Sequence, residues 1–222
     1  MGSMSRSSAL SHSSLPIVPG MDEPAVRTAT TNDRDDAVDS LTSAFAADPI
    51  MSWMTRSDPP DPQRLKLFFG AIVDGELQKG AETAYVAGGG SGASIWRDVD
   101  DRGPSQVELI KSAPFFLRVF RSGLARTLRA VSAIDSAHPK EPHAYLFFVG
   151  VHQDNRGQGL GAALLAPMLE RCDREGIPAY LENSNPPNEA FYARLGFEQR
   201  GTINLPKGAP PLTPMWREPR GA

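Results

Sequence analysis

The most apolar strand pattern of the chain covers residues 144–151 (AYLFFVGV), which are followed by a polar loop and then by a helical pattern. Aromatic and β-branched residues over this length are typical of a strand in the middle of a sheet. The loop at residues 152–161 ends in three glycines, and helix-forming residues continue from there to about Glu175. Strand, glycine loop and helix form the best-defined unit of the sequence.

Further elements are predicted after this unit. Residues 179–183 predict a strand, and residues 185–195 predict a short helix that ends at Gly196. Two closing strands are predicted at residues 197–205 and 212–216, separated by a loop rich in proline and glycine.

The N-terminal half has strand and helix patterns of its own. A short strand is predicted at residues 25–29, and helices at residues 31–47 and 65–73, where apolar residues recur at helical spacing. Residues 83–87 and 93–96 predict two strands joined by a glycine loop, which is the pattern of a hairpin.

Together these elements predict a single α/β domain over residues 25–219, built on a mixed, strongly twisted sheet of about seven strands. The first twenty residues are rich in serine and contain no hydrophobic signal core. We therefore expect residues 1–24 to form a disordered N-terminal tail.

Residues 106–134 combine apolar positions with arginines between them, which is the pattern of a basic amphipathic helix. Such a helix lies on a membrane surface, binds a partner or presents an ordinary solvated face, and we favour the last because it is the most frequent. Pro104 and Pro114 predict breaks near the start of the segment. The following loop, at residues 136–142, is expected to place His138 at the surface.

Composition limits the classes of protein to which the chain can belong. With 40% hydrophobic residues among 222, it can bury one sizeable core. A net charge of −3 argues against a general nucleic-acid binder. No apolar run reaches the length of about 18 residues that a membrane span needs. We expect a cytoplasmic protein whose function involves neither nucleic acid nor a membrane.

Cysteine and histidine positions argue against a disulfide and a metal site. Cys172 is the single cysteine, and no Cys/His cluster has the spacing of zinc ligands. Leu165, Met168 and Leu169 share the helical spacing of Cys172. This pattern predicts that Cys172 is a core residue and not a nucleophile, and that no metal is bound.

The glycine loop has the features of an anion site. Glycines before a helix direct free backbone N–H groups and the positive end of the helix dipole at an anion, and Arg156 adds a fixed positive charge. A Walker nucleotide site requires Lys and Ser/Thr directly after the last glycine. Here Ala162 and Ala163 follow Gly161, which excludes that class.

A dinucleotide-binding fold is the stronger competing interpretation. Gly157, Gly159 and Ala162 fit its loose fingerprint, and Glu182 ends a strand about twenty residues later. However, five polar residues separate the strand from the first glycine, and only forty residues follow Glu182. The remaining strands of that sheet do not fit into this length.

Two motifs point instead to coenzyme A and carry a resemblance to a known family. Residues 156–161 (RGQGLG) match the Arg/Gln-x-x-Gly-x-Gly/Ala signature of the GNAT superfamily of N-acetyltransferases. Residues 188–197 (NEAFYARLGF) resemble its second signature, and the two motifs occur in the family's order with one strand between them. Within the superfamily the chain is most similar to the puromycin N-acetyltransferase group, over residues 138–200.

The resemblance implies the GNAT fold, in which the strands at 145–151 and 179–183 splay apart and the pantetheine arm of acetyl-CoA lies in the gap. It implies a set of acetyl-CoA-binding residues: Val149, Val151, Arg156, Gly157, Gln158, Gly159, Leu160, Gly161 and Asn188. The backbone of Val149 and Val151 would hold the arm and offer one N–H to the thioester oxygen, and the loop N–H groups would hold the pyrophosphate. Asn185 is a further candidate, and Asn188 has an alternative role as a helix cap.

The same resemblance implies two catalytic residues. Tyr192 corresponds to the family's general acid, which donates a proton to the CoA thiolate; a phenol with a pKa near 10 is protonated at pH 7. Glu182 corresponds to a carboxylate that acts as the base or only binds a cationic acceptor. His143 and His152 flank the strand at 144–151, and we interpret both as solvent-exposed and not as catalytic.

The resemblance therefore implies direct acetyl transfer from acetyl-CoA to a primary amine of a small molecule, with an antibiotic among the candidate acceptors. The protein would act as a monomer or a homodimer. The alternative is a CoA-binding sensor or partner-binding protein, which the presence of Glu182 and Tyr192 disfavours. No motif specifies the acceptor, which depends on residues 50–54 and 104–135; residues 50–54 fit a core edge and a pocket wall equally well.

Overall fold

A computed structural model of the protein describes residues 25–80, 82–101 and 112–221. The expected tail at residues 1–24, and Pro104, lie outside the described residues. Within the described ranges, no helix is long and apolar enough to cross a membrane.

One mixed sheet of seven strands organises the described chain, as the sequence predicts. The strands follow the spatial order β1-β2-β3-β4-β5-β7-β6, and β4 and β5 form its parallel pair. Their bounds are Val26–Thr28 (β1), Ala84–Ala87 (β2), Gly92–Arg97 (β3), Ala144–Val151 (β4), Ala179–Asn183 (β5), Glu198–Gln199 (β6) and Thr213–Arg217 (β7). The sheet confirms the predicted fold class.

Helices cover both faces of this sheet. Those in the described residues are Arg34–Ala44 (α1), Pro49–Thr55 (α2), Pro62–Lys79 (α3), Ala113–Phe120 (α4), Leu124–Ala137 (α5), Leu160–Glu175 (α6) and Glu189–Arg194 (α7). α6 and α7 pack on one face, through a cluster that includes Leu164, Met168 and Tyr192. α1, α2 and α3 pack on the other face, around Leu41 and Phe69.

The parallel pair separates after three residues. Residues 144–146 of β4 pair with residues 179–181 of β5. Beyond these residues β4 continues to Val151 and β5 continues to Asn183, but the two strands no longer pair with each other. The two strands therefore enclose a wedge-shaped gap that opens toward the glycine loop. The predicted splay is confirmed.

A β-bulge lies where the separation begins. Ile95 and Trp96 are consecutive on β3, but they pair with Phe148 and Leu146, so Phe147 is an extra residue on β4. Beyond the bulge the alternation of side chains is reversed, and Val149 joins the cluster on the α6 face.

Two predicted elements differ from the structure. The strand expected at 197–205 is reduced to β6 and one bridge between Ile203 and Leu212, because Gly201 takes a left-handed φ of +90° that interrupts the extended chain. The basic segment forms two helices, which are separated at Arg121, where φ is +46°. Pro114 lies in the first turn of α4, in agreement with the predicted break.

Candidate active site

The glycine loop presents free backbone N–H groups at the open end of the gap. Within the described residues, no hydrogen bond is formed by the N–H groups of residues 157–161, and Gly159 caps α6 without a side-chain partner. Gly157 and Gly159 have φ values of +78° and +80° and are exposed to solvent. Free N–H groups at the start of a 16-residue helix form a suitable cradle for a diphosphate.

Contacts to the end of α1 hold this loop in place. The N–H of Gln153 donates to Ser43 Oγ at 3.2 Å, and the guanidinium of Arg156 donates to the carbonyl of Ala44 at 3.1 Å. The side chain of Leu160 is buried in the core, so that only its N–H is available to a ligand. A Cβ on Gly161 would lie 3.2 Å from the ring of Phe191, so glycine allows α6 and α7 to approach closely.

Two backbone N–H groups of β4 point into the gap. The N–H of His152 donates to the carbonyl of Ser91 at 2.9 Å, on the β3 side of the strand. Because backbone groups alternate between the two edges of a strand, the N–H groups of Val149 and Val151 face the opposite edge, from which β5 has diverged. The geometry suits the backbone contacts predicted for these two residues.

Tyr192 lies on α7 and packs in the same cluster as Val149 and Val151 of β4. Its ring packs against Phe191 and Phe197, and its hydroxyl forms no hydrogen bond with any described residue. Burial, and then the negative charge of Asp48, raise the pKa of the Tyr192 phenol well above its ordinary value. The phenol is therefore protonated at neutral pH and available as a donor.

Asp48 is the buried N-cap of α2. Its carboxylate accepts hydrogen bonds from the N–H of Met51 at 2.9 Å and from Ser184 Oγ, directly after β5, at 2.6 Å. Burial raises the pKa of Asp48, and the hydrogen bonds from Ser184 and Met51 offset part of this effect. Asp48 was not among the site residues predicted from the sequence, although Asp before Pro is itself a signal for a helix N-cap.

Glu182 lies at the closed end of the gap, directly after the last residue of β5 that pairs with β4. Its side chain is only 6% exposed. The hydroxyl of Tyr145 donates to Glu182 Oε2 at 2.5 Å, and His138 Nδ1 lies 3.3 Å from Oε1. Both carboxylate oxygens therefore have partners.

The expectation that His143 is solvent-exposed is wrong, and His138 is only partly exposed. His138 is half-buried against Glu182, and its Nε2 lies 3.1 Å from Nε2 of His143. His143 is buried, and its Nδ1 lies 2.6 Å from the carbonyl oxygen of Glu141. The parallel pairing of Ala144 with its partner on β5 brings the loop before β4 against Glu182. His152, by contrast, is 35% exposed and lies near Asp154.

Burial controls protonation in this cluster. It lowers the pKa of His143, and the hydrogen bond to the carbonyl of Glu141 only partly offsets that effect. Burial, and then the Glu182 carboxylate, raise the pKa values of Tyr145 and Tyr180 well above the ordinary range. Both phenols stay protonated at neutral pH, and the hydroxyl of Tyr180 is buried without a hydrogen-bond partner among the described residues.

The structure also bears on three other polar residues. Asn188 is exposed and its side chain caps no helix. Asn183, which was not predicted as a site residue, is buried on β5 beyond the paired segment, and its Nδ2 has no partner among the described residues. Such a donor suits a polar group in the gap. Cys172 is buried in the core, as predicted, and burial raises its pKa to about 11, which disfavours the thiolate.

Comparison with known proteins agrees with this geometry. Residues 106–197 match the family model described as the acetyltransferase (GNAT) family. An uncharacterized N-acetyltransferase from Schizosaccharomyces pombe is 26% identical over 208 residues, which cover 88% of this chain and 83% of that protein.

Solved structures share the whole fold. A Corynebacterium glutamicum structure described as histone acetyltransferase HPA2 and related acetyltransferase is 29% identical, with a TM-score of 0.61, covering 90% of this chain and 98% of that one. The polyamine N-acetyltransferase of Drosophila melanogaster is 17% identical, with a TM-score of 0.57, covering 87% and 99%; this likeness concerns the fold alone. These similarities support an acetyltransferase with the GNAT fold, and the family match itself covers residues 106–197.

Proposed function

We propose that this acetyltransferase transfers an acetyl group from acetyl-CoA directly to a primary amine of a small molecule, within a single domain formed by residues 25–219. The observation that carries the proposal is the arrangement around the gap between β4 and β5. Free N–H groups of residues 157–161 lie at its open end, Tyr192 packs in one cluster with Val149 and Val151 of β4, and the Glu182 carboxylate lies at its closed end. When bound, acetyl-CoA supplies the activated acetyl thioester.

The donor side is formed mainly by backbone. The N–H groups of residues 157–161 would hold the pyrophosphate, with Arg156 adding positive charge and Asn188 at the rim; the N–H of Arg156 donates to the carbonyl of Gln153 instead. The backbone of Val149 and Val151 would hold the pantetheine arm in the manner of an added strand. One of their N–H groups would donate to the thioester oxygen as negative charge develops there, an interaction typically worth about 10²–10³-fold in rate.

The acceptor side requires a group that removes a proton. A primary amine is mostly protonated at neutral pH and must lose a proton before its nitrogen attacks the acetyl carbon. Glu182, whose side chain is 6% exposed, would accept that proton directly or through one water molecule. As the new C–N bond forms and the C–S bond breaks, Tyr192 would donate its phenolic proton to the departing sulfur.

The acceptor class is inferred from resemblance and from the charges near the gap. Glu182 and Asp48 place two carboxylates where a cationic amine would approach. The Drosophila protein with the same fold is named for polyamine acetylation, and residues 138–200 resemble the puromycin N-acetyltransferase group. We therefore include polyamines, arylalkylamines and aminonucleoside antibiotics as the first candidate acceptors. The family match favours an enzyme over a CoA-binding sensor.

The test is turnover of acetyl-CoA by the full chain with a panel of such amines, followed as release of free thiol and as N-acetylated product by mass spectrometry. At least one primary amine should accelerate thiol release, and the Glu182→Gln variant should reduce kcat with that amine by about 10²–10⁴-fold. An alcohol analogue of the best amine is the matched control. Binding of acetyl-CoA without acceleration by any amine would refute the proposal.

A further inference from the structure

Three side chains next to the gap form a continuous chain of contacts. Glu182 Oε1 lies 3.3 Å from His138 Nδ1, His138 Nε2 lies 3.1 Å from His143 Nε2, and His143 Nδ1 lies 2.6 Å from the carbonyl oxygen of Glu141. We call Glu182, His138 and His143 the proton array. Both histidines lie within residues 138–200, which resemble the puromycin N-acetyltransferase group, but the resemblance implies no role for either.

A count of hydrogens shows how many protons the array holds. Each of the three contacts needs one hydrogen, and the carbonyl of Glu141 can only accept, so His143 Nδ1 must carry one. Two neutral imidazoles supply only two N–H groups. If the contact between the two Nε2 atoms takes the second hydrogen, none is left between His138 Nδ1 and Glu182 Oε1.

All three contacts are therefore hydrogen bonds only when the array carries one proton more than two neutral imidazoles and an ionised carboxylate. In this loaded state the array has no net charge. In the unloaded state it is negative, and at one contact two lone pairs face each other. The unloaded array is thus a proton acceptor whose hydrogen bonding is completed by the proton that it takes up.

We propose that the proton array takes up the proton of the acceptor amine at Glu182 and returns it to solvent at His138. His138 and His143 are then positioning and relay residues that act through Glu182, so this inference rests on the function proposed above. The amine N–H bond breaks as the O–H bond forms at Glu182, this hydrogen passes from Oε1 to His138 Nδ1, and His138 then loses it to water. No co-reactant other than water is required.

The fold gives the relay a direction. The side chain of His138 is 29% exposed, whereas that of Glu182 is 6% exposed, so His138 is the member nearest to solvent. His138 is also the C-cap of α5, a helix of 14 residues. His143 is held by the carbonyl of Glu141 and fixes the ring orientation of His138.

Other titratable groups face the array from the surrounding elements. The phenols of Tyr145 on β4 and Tyr180 on β5 remain protonated, and Tyr145 donates to the second oxygen of Glu182. The Glu141 side chain and the Arg97 guanidinium act from the preceding loop and from β3. None of these groups supplies the third hydrogen, because Tyr145 is already bonded to Glu182 Oε2 and the Nδ1 hydrogen of His143 is directed at the carbonyl of Glu141.

The first test measures protonation directly and does not depend on activity. Ring ¹⁵N signals of His138 and His143 are followed against pH in the full chain. We expect a His143 that carries its proton on Nδ1 and a common transition of both rings. In the Glu182→Gln variant, whose amide can donate to His138, the transition should move to lower pH by about one unit or more. Independent transitions that the variant leaves unchanged would overturn the proposal.

The second test is the pH dependence of kcat/KM with the best amine. An array that must first lose its proton predicts an acidic limb, and His138→Gln should move that limb by about one pH unit or more while lowering the plateau about tenfold. The matched control is Lys140→Gln, which removes an exposed charge from the same loop; its profile should match the wild type. An unchanged profile in His138→Gln would overturn the relay.

The two tests separate this proposal from the proposed function. Absence of turnover with every amine would refute the function of Glu182 as a base, whereas the ring ¹⁵N signals would still decide whether the array exists. His143→Gln serves as a second variant if His138→Gln does not fold. His143→Gln should break the chain of contacts between His138 and the carbonyl of Glu141, so that the acidic limb of kcat/KM extends over a wider pH range. A pH dependence of kcat/KM identical to that of the wild type would contradict the array.

Discussion

The hydroxyl of Tyr145 donates a hydrogen bond of 2.5 Å to the carboxylate of Glu182, across the last pairs of β4 and β5 before the two strands separate. Burial raises the pKa of Tyr145, so the phenol is a donor at any physiological pH. The bond fixes the Glu182 side chain at the closed end of the gap and satisfies one of its two oxygens.

Loss of this bond should destabilise the fold. In Tyr145→Phe, a largely buried carboxylate oxygen loses its donor, and we expect the free energy of unfolding to fall by about 1–3 kcal/mol. Urea unfolding at neutral pH measures the difference. Tyr85→Phe is the matched control, because the Tyr85 hydroxyl donates to the backbone carbonyl of Glu82 at 2.9 Å. Because this acceptor is neutral, Tyr85→Phe should lower the free energy of unfolding by less than Tyr145→Phe does. Equal losses of free energy in the two variants would contradict a charge-assisted bond at Glu182.

Removal of the Tyr192 hydroxyl should affect catalysis much more than stability. The hydroxyl has no hydrogen-bond partner among the described residues, so Tyr192→Phe leaves no described group unsatisfied. If the phenol protonates the departing thiolate, kcat should fall by about 10²–10⁴-fold with little change in the affinity for acetyl-CoA. Steady-state kinetics and thermal unfolding of the same preparation test both statements. A kcat within threefold or so of the wild type would exclude the role.

The order of elements could be predicted because it depends on local patterns. The strand, glycine loop and helix around residues 144–175 are contiguous in sequence, and each carries its own signal of hydrophobic period or turn residue. The start of α2 has such a signal too. Asp48 and Pro49 were interpreted only as the end of α1, although they are also the N-cap and first residue of the next helix.

The contacts of the site could not be predicted in the same way. His138 and Glu182 are 44 residues apart, and they meet only because β4 and β5 pair in parallel at one register. A histidine in a loop that contains two prolines has the local pattern of a surface residue. The bulge at Phe147 could not be predicted from the sequence either. Strict alternation of side chains would place Phe147 and Val149 on the same face of the sheet, whereas the bulge places them on opposite faces.

The glycine loop gives a prediction about ligand affinity. At Gly159 an added Cβ would meet no protein atom within 4 Å, but the φ of +80° would strain any other residue. Gly159→Ala should therefore cost about 1–2 kcal/mol of stability and raise the Kd of acetyl-CoA about tenfold or more, because the methyl group projects beside the free N–H groups. Isothermal titration calorimetry measures the affinity.

Gly176 provides the matched control for this effect. It is the C-cap of α6, with a φ of +69° and open space where an added Cβ would lie, and it is at the opposite end of the helix from the loop. Gly176→Ala should show a similar loss of stability with unchanged affinity. Equal affinities for the two variants would mean that acetyl-CoA does not contact the backbone of the loop.

Asp48 leads to a prediction about the pH dependence of stability. Burial raises its pKa, so the native protein holds the Asp48 proton more tightly than the unfolded chain does. Stability then falls as the pH rises from the ordinary value toward the raised one, because in that window the native state binds more protons. Asn cannot ionise, can accept the N–H of Met51 and remains a good N-cap.

The free energy of unfolding of the Asp48→Asn variant, relative to that of the wild type, should therefore be higher at about pH 7 than at about pH 3.5. Urea unfolding at both pH values measures the difference. Asp61→Asn is the matched control: Asp61 caps α3 through the N–H groups of Gln63 and Arg64, but at a more exposed position. It should show no such gain. If the difference in the free energy of unfolding between Asp48→Asn and the wild type does not change with pH, the Asp48 carboxylate is ionised equally in the native and the unfolded state. Its negative charge would then act on Tyr192 throughout the pH range in which the enzyme works.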